Sequence, residues 1–65
     1  MSLKIASELR PGERVRLASG RELEITRIQR PFLGSDDLLC LVEDTPEGWF
    51  AQGMAVTKEL EVLEN

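Results

Sequence analysis

From Glu13 onward, large apolar side chains fall on every second residue within short runs, and this spacing narrows the fold more than any other feature of the chain. Val15 and Leu17 alternate with Arg14 and Arg16; past Ser19 and Gly20, Leu23 and Ile25 alternate with Glu22 and Glu24. Successive side chains of a strand point to opposite faces, so a period of two selects half-buried strands over an amphipathic helix. Two such runs around a Ser-Gly pair predict a hairpin. A two-residue turn would set Leu17 opposite Glu22 and divide the apolar residues between the two faces. An odd loop, or a bulge near Gly20, instead pairs Leu17 with Leu23 and Val15 with Ile25, and sets Arg16 against Glu24 on the wet face.

The second of these strands loses phase. Leu23 and Ile25 share a face, but Ile28 joins them only if one extra residue is absorbed near Thr26 and Arg27, which predicts a bulge and strong curvature. Arg30 to Asp37 is a loop punctuated by Pro31 and Gly34. Leu38 to Glu43 is apolar on both faces, as suits a central strand. Asp44 to Gly48 forms a turn, Trp49 to Met54 a fourth strand, and Leu60 to Leu63 a short last strand after one 3₁₀ turn at Thr57-Lys58-Glu59. Ahead of these strands, Leu3 to Leu9 fits a short strand or a single helical turn equally, and Arg10-Pro11-Gly12-Glu13 reads as a tight turn.

With 65 residues the chain is one domain, residues 1–9 forming a lead-in and 10–63 the β fold. A domain this small buries only about 60% of the surface its unfolded chain exposes, so its core is thin. Cys40 is the only cysteine and there is no histidine. An internal disulfide and a zinc site of several Cys or His ligands are therefore excluded, which leaves oligomerisation or a partner surface as the outside support. Cys40 lies in the apolar run 38–42 and is expected as a small buried hydrophobe. Without a histidine to act as base it is no nucleophile.

Five short strands, a curved second strand and a single-turn connector together resemble the SH3-like small β-barrel superfamily over residues 10–63. The segment Val15-Arg16-Leu17-Ala18-Ser19-Gly20 is similar to the strand-then-glycine of its KOW-type members, although the usual second glycine is missing. The resemblance implies an all-β, five-stranded, strongly curved barrel with at most one short helical turn. It does not extend to Pro-rich peptide recognition: that groove is lined by tyrosines, and the chain has none.

Function is then expected from surfaces. The acidic turns around Asp36-Asp37, Glu43-Asp44 and Glu47 read as solvated loops, without calcium-loop spacing or the room for a catalytic cleft, so no enzyme activity, cofactor or metal is expected. Trp49 and Phe50 are strand neighbours and cannot both enter one core. With loop residues Phe32 and Leu33 they supply more large apolar surface than a thin core needs. The expected activity is binding of another protein, or of a second copy, through Phe32, Leu33 and one of Trp49 and Phe50; the other role open to Phe32 is a plug over one barrel end.

The competing expectation is a nucleic-acid face built on Arg14, Arg16 and Arg27. Residues 1–34 carry a net charge of +3 and residues 35–65 carry −7, which sum to the overall −4. Glu22 and Glu24 stand opposite the arginines, and with a pI near 4.7 the chain is a poor polyanion binder. No apolar run reaches the ~20 residues of a membrane helix, and a reduced cytoplasmic setting is expected.

Overall fold

The computed structural model describes residues 2–63, and these are all-β apart from one 3₁₀ turn at Ala6–Glu8. The strands are β1 (Ser2–Ile5), β2 (Arg14–Arg16), β3 (Glu22–Glu24), β4 (Arg27–Gln29), β5 (Leu38–Thr45), β6 (Gly48–Ala55) and β7 (Glu59–Leu63). They form two antiparallel sheets, a four-stranded one in the order β1-β7-β2-β3 and a three-stranded one in the order β4-β5-β6. The expectation of five strands in one barrel is thus corrected to seven strands in two sheets, with no closed barrel.

Two local causes raise the strand count. The segment read as a lead-in takes both of its allowed conformations in turn: β1 pairs with β7 from Ser2↔Val62 to Ile5↔Glu59, and the 3₁₀ turn follows. This turn drops Ala6 and Leu9 into the core. The helical turn expected at Thr57-Lys58-Glu59 is instead a tight turn in which the Lys58 N–H donates to the Ala55 carbonyl at 3.0 Å, and Glu59 already belongs to β7.

The second cause is the corner after Ile25. Ile25 still belongs to the first sheet, where its N–H donates to the Glu13 carbonyl at 2.9 Å. The next N–H, that of Thr26, donates to Val42 of the second sheet at 2.7 Å, while Arg27 is the register partner of the same Val42. Two residues stand against one, which is the bulge anticipated from the phase break. The bend divides the expected long strand into β3 and β4 and lets Leu23, Ile25 and Ile28 all reach the interior.

The β2–β3 hairpin has the expected odd loop but a tighter register. Leu17 N–H donates to Arg21 and Gly20 N–H to Leu17, closing a three-residue loop in which Gly20 takes φ 91°. Such a loop needs a residue in the left-handed region at its last position, and glycine occupies it without steric cost. Closure at Leu17 and Arg21 sets Val15 opposite Leu23 and Arg16 opposite Glu22, two residues short of the anticipated pairs.

Val15, Leu23, Ile25, Leu39 and Leu41 are the largest fully buried side chains, at the centre of a cluster closed by Leu9, Leu17, Leu60 and Val62. β5 is apolar on both faces, as its sequence required. Leu39 and Leu41 enter this cluster, whereas Cys40 and Val42 are buried outside it, on the other face of the three-stranded sheet.

Candidate functional site

Burial outside the core needs a second cover, and it is provided on the outer face of β4-β5-β6. The register aligns Gln29, Cys40 and Gly53 in one row, Arg27, Val42 and Ala51 in the next, and Asp44 with Trp49 in a third. These side chains and Phe32 line one cleft, apolar along its floor and polar at the Arg27–Asp44 rim. Phe32 reaches it from a two-residue turn in which the Phe32 and Ser35 backbones bond reciprocally, at 3.2 and 3.0 Å. Its ring lies flush on Gly53: a methyl group on that glycine would collide with the ring edge. A glycine inside a strand often marks such a close approach. Phe32 therefore does fold back, but onto a sheet face instead of over a barrel end.

The turn that carries Phe32 has an unusual tip. Leu33 and Gly34 take φ 53° and 73°, the sign pattern of a type I′ turn, whose favoured residues are Asn, Asp and Gly. Leucine is disfavoured there, and this one is 80% exposed. At the far end of the cleft Trp49 is 74% exposed. Phe50 is on the opposite face, packed against the core with the Arg21 guanidinium 3.9 Å from its ring centroid. Of the four residues expected in a contact patch, Phe32 and Trp49 line this cleft, Leu33 is exposed at the tip of the adjoining turn, and Phe50 is on the opposite face.

The arginine face does not assemble. Arg14 and Arg16 project from the four-stranded sheet and Arg27 from the three-stranded one. Arg14 pairs with Glu22 at 3.1 Å, Arg16 with Glu22 and Glu61 at 3.2 and 3.0 Å, and Arg27 with Asp44 at 3.7 Å. The partners Glu61 and Asp44 come from the acidic half, so the two halves interleave in space. Among the described residues no group of three or more His, Cys, Asp or Glu is placed to hold a metal ion.

The Glu13 carboxylate is perturbed. The Lys4 ammonium, 2.8 Å from Glu13 Oε2, holds the Glu13 carboxyl below its ordinary value, helped by the Arg10 N–H that donates to Oε1 at 2.8 Å and only partly opposed by burial. This group ties β1 to the Arg10–Glu13 turn and is far in sequence from the cleft.

Sequence reasoning missed the cleft floor, because Cys40, Val42 and Ala51 look like ordinary core residues until the register shows which face they occupy. Gly53 was the available signal. No protein-family model, curated protein or solved structure matches the chain. No helix among the described residues is long and apolar enough to cross a membrane.

Proposed function

We propose that this chain is a small non-enzymatic binding module, built as an SH3-like two-sheet fold, that docks a protein segment on the outer face of β4-β5-β6. One observation carries the reading: Trp49 stands in solvent at one end of a cleft whose floor is already apolar, and Leu33 is exposed at the turn tip next to Phe32, which lines the other end. A single exposed hydrophobe is ordinary on a soluble protein, and needs no function. Here an exposed leucine also occupies a backbone conformation that disfavours it, beside an aromatic ring pressed onto the same surface. Backbone strain kept at an exposed apolar tip supports selection for contact rather than for stability.

The SH3-like reading is supported by the second strand, which passes from one sheet to the other at the Thr26 bulge. Tryptophan suits such a site because it adds a large contact area with few rotatable bonds. The ion-paired arginines, separated on two sheets, favour this reading over nucleic-acid binding.

A random-peptide display library panned on sparsely immobilised protein tests the proposal. Extended sequences with apolar residues at alternate positions should enrich, and their binding should fall on Trp49→Ala and on Leu33→Asn. No enrichment, or enrichment indifferent to both substitutions, would overturn it.

A further inference from the structure

Beside the cleft runs an edge that soluble proteins usually protect. The two ladders leave β1, β3, β4 and β6 at their margins. Natural sheets blunt such margins with charge, proline or brevity. β1 carries Lys4, β3 carries Glu22 and Glu24, and β4 is three residues long, begins with Arg27 and is followed by Pro31. β6 has none of these devices. Its eight residues, Gly48 to Ala55, include no charged side chain and no proline and extend about 27 Å.

The open side of β6 can be assigned residue by residue. In an antiparallel pair each residue turns its N–H and C=O to the same side, alternately toward and away from the neighbour. Val56 N–H donates to the Asp37 carbonyl at 2.9 Å, so even-numbered residues face β5 and Trp49, Ala51 and Gly53 face outward. Gln52 agrees with this phase: its Nε2 donates to the Gly53 carbonyl at 3.0 Å, and with the Lys58 N–H on the Ala55 carbonyl at 3.0 Å two outward acceptors are capped from within the chain.

We infer that this edge pairs with β6 of a second copy, antiparallel about a two-fold axis at Gln52, to make a six-stranded sheet across a homodimer. The inference rests on the docking reading of the same face and names its occupant. Centring on Gln52 sets Ala51 opposite Gly53 of the other copy and Trp49 opposite Ala55, so each indole meets small residues. Trp49 then lies diagonal to Gly53 of the other copy, on which that copy's Phe32 ring is seated. The two exposed indoles are thereby covered by aromatic rings, and the two clefts join into one apolar surface.

Charge favours this occupant over an arbitrary strand. Glu47 precedes β6 in its turn, and Lys58 follows it; Lys58, Gln52, Met54 and Ala55 line a groove along this edge that the β2–β3 loop, Leu17 to Ser19, and Leu60 share. The antiparallel arrangement brings the Glu47 turn of each copy toward the turn that carries Lys58 of the other. Among the described residues neither side chain has an ion-pair partner within the monomer. Glu59, directly after Lys58, opens β7 and makes no ion pair with it among the described residues.

Light scattering of the full chain from about 10 to about 200 μM tests the pairing, this being the range in which a micromolar dimer changes its mass. The wild type should rise toward twice 7.3 kDa. Gln52→Lys, which opposes two like charges at the axis, should remain monomeric while keeping the wild-type circular dichroism and melting transition. Glu47→Lys and Lys58→Glu should each weaken the dimer about tenfold, and the double exchange within one chain should restore it.

A wild type that stays monomeric throughout overturns the self-pairing. If the monomer still selects peptides through Trp49, only the choice of occupant has failed; if it selects none, the docking reading fails with it. A dimer indifferent to Gln52→Lys and to the charge exchange also overturns the inference, because it would assemble elsewhere.

Discussion

Leu33 is the residue at which local preference and actual sequence disagree most. Its φ of 53° lies where a side-chain Cβ crowds the following carbonyl, and it does not recover that cost by burial, being 80% exposed. Asparagine tolerates the same conformation and is favoured at this position of a type I′ turn. Leu33→Asn should therefore stabilise the isolated domain by about 1 kcal/mol, a rise of roughly 4–8 °C in Tm for a protein of this size. Thermal melts of the two proteins at equal low concentration decide it. A Tm that stays level or falls would mean that Leu33 makes a stabilising contact, removing the argument that it is held out for a partner. Gly53 shows the opposite balance, since there the sequence gives up a side chain so that Phe32 can lie against the strand.

At the level of elements, β1 is the piece most dependent on one side chain. It is four residues long, lies at a sheet margin, and is tied to the Arg10–Glu13 turn by the Glu13 carboxylate, which takes both the Lys4 ammonium and the Arg10 N–H. Folding lowers the Glu13 pKa below 4.5, so the ionised form is the stabilising one. That contribution is fully present above the unfolded-state value and is lost as the pH falls through the lower folded-state value. Glu13→Gln should lower stability by about 0.5–1 kcal/mol at neutral pH, the range of a partly exposed pair with one backbone hydrogen bond. In urea titrations the gap from wild type should close once the pH is well below 4.5; a gap of constant size would assign the effect to packing. The same elements show how far the sequence could be read. Strands with strict alternation, such as Arg14–Arg16 and Glu22–Glu24, were legible because their period is local, and the bulge at Thr26 was legible as a break in that period. The division between two sheets was not, because which strand crosses to which sheet depends on pairing with Val42, sixteen residues away. β1 was hidden for a related reason: Leu3 to Leu9 satisfies two periods, and only its long-range pairing with β7 assigns each half. The cleft was half legible. Phe32, Leu33 and Trp49 stood out as surplus hydrophobes, while its floor became visible only once the register gave Cys40 and Val42 a face.

For the whole molecule the decisive quantity is where the charges lie. A chain divided in sequence into a basic and an acidic half could present a dipolar surface able to hold a polyanion on one side. Folding prevents this by carrying acids of the second half across to arginines of the first: Arg16 meets Glu61, Arg21 meets Glu43 at 3.6 Å, and Arg27 meets Asp44. Each exposed pair stabilises the fold by only ~0.2–1 kcal/mol, but together they leave little free positive charge along any one strand. Phosphate contacts draw their strength from counterion release, which needs cations that are not already neutralised by the protein itself. Single-stranded and duplex oligonucleotides should accordingly show no salt-sensitive fluorescence polarisation change below ~10⁻⁴ M at low ionic strength, the weak end of non-specific affinity. Tighter binding that weakens steeply with salt would mean that the glutamates yield their arginines to phosphate, and the four-stranded sheet would then be the functional face. The expected flat response leaves the uncharged β6 edge and the cleft beside it, where Trp49 stays exposed, as the part of this surface least accounted for by monomer stability, since Arg14, Arg16, Arg21 and Arg27 are ion-paired within the chain.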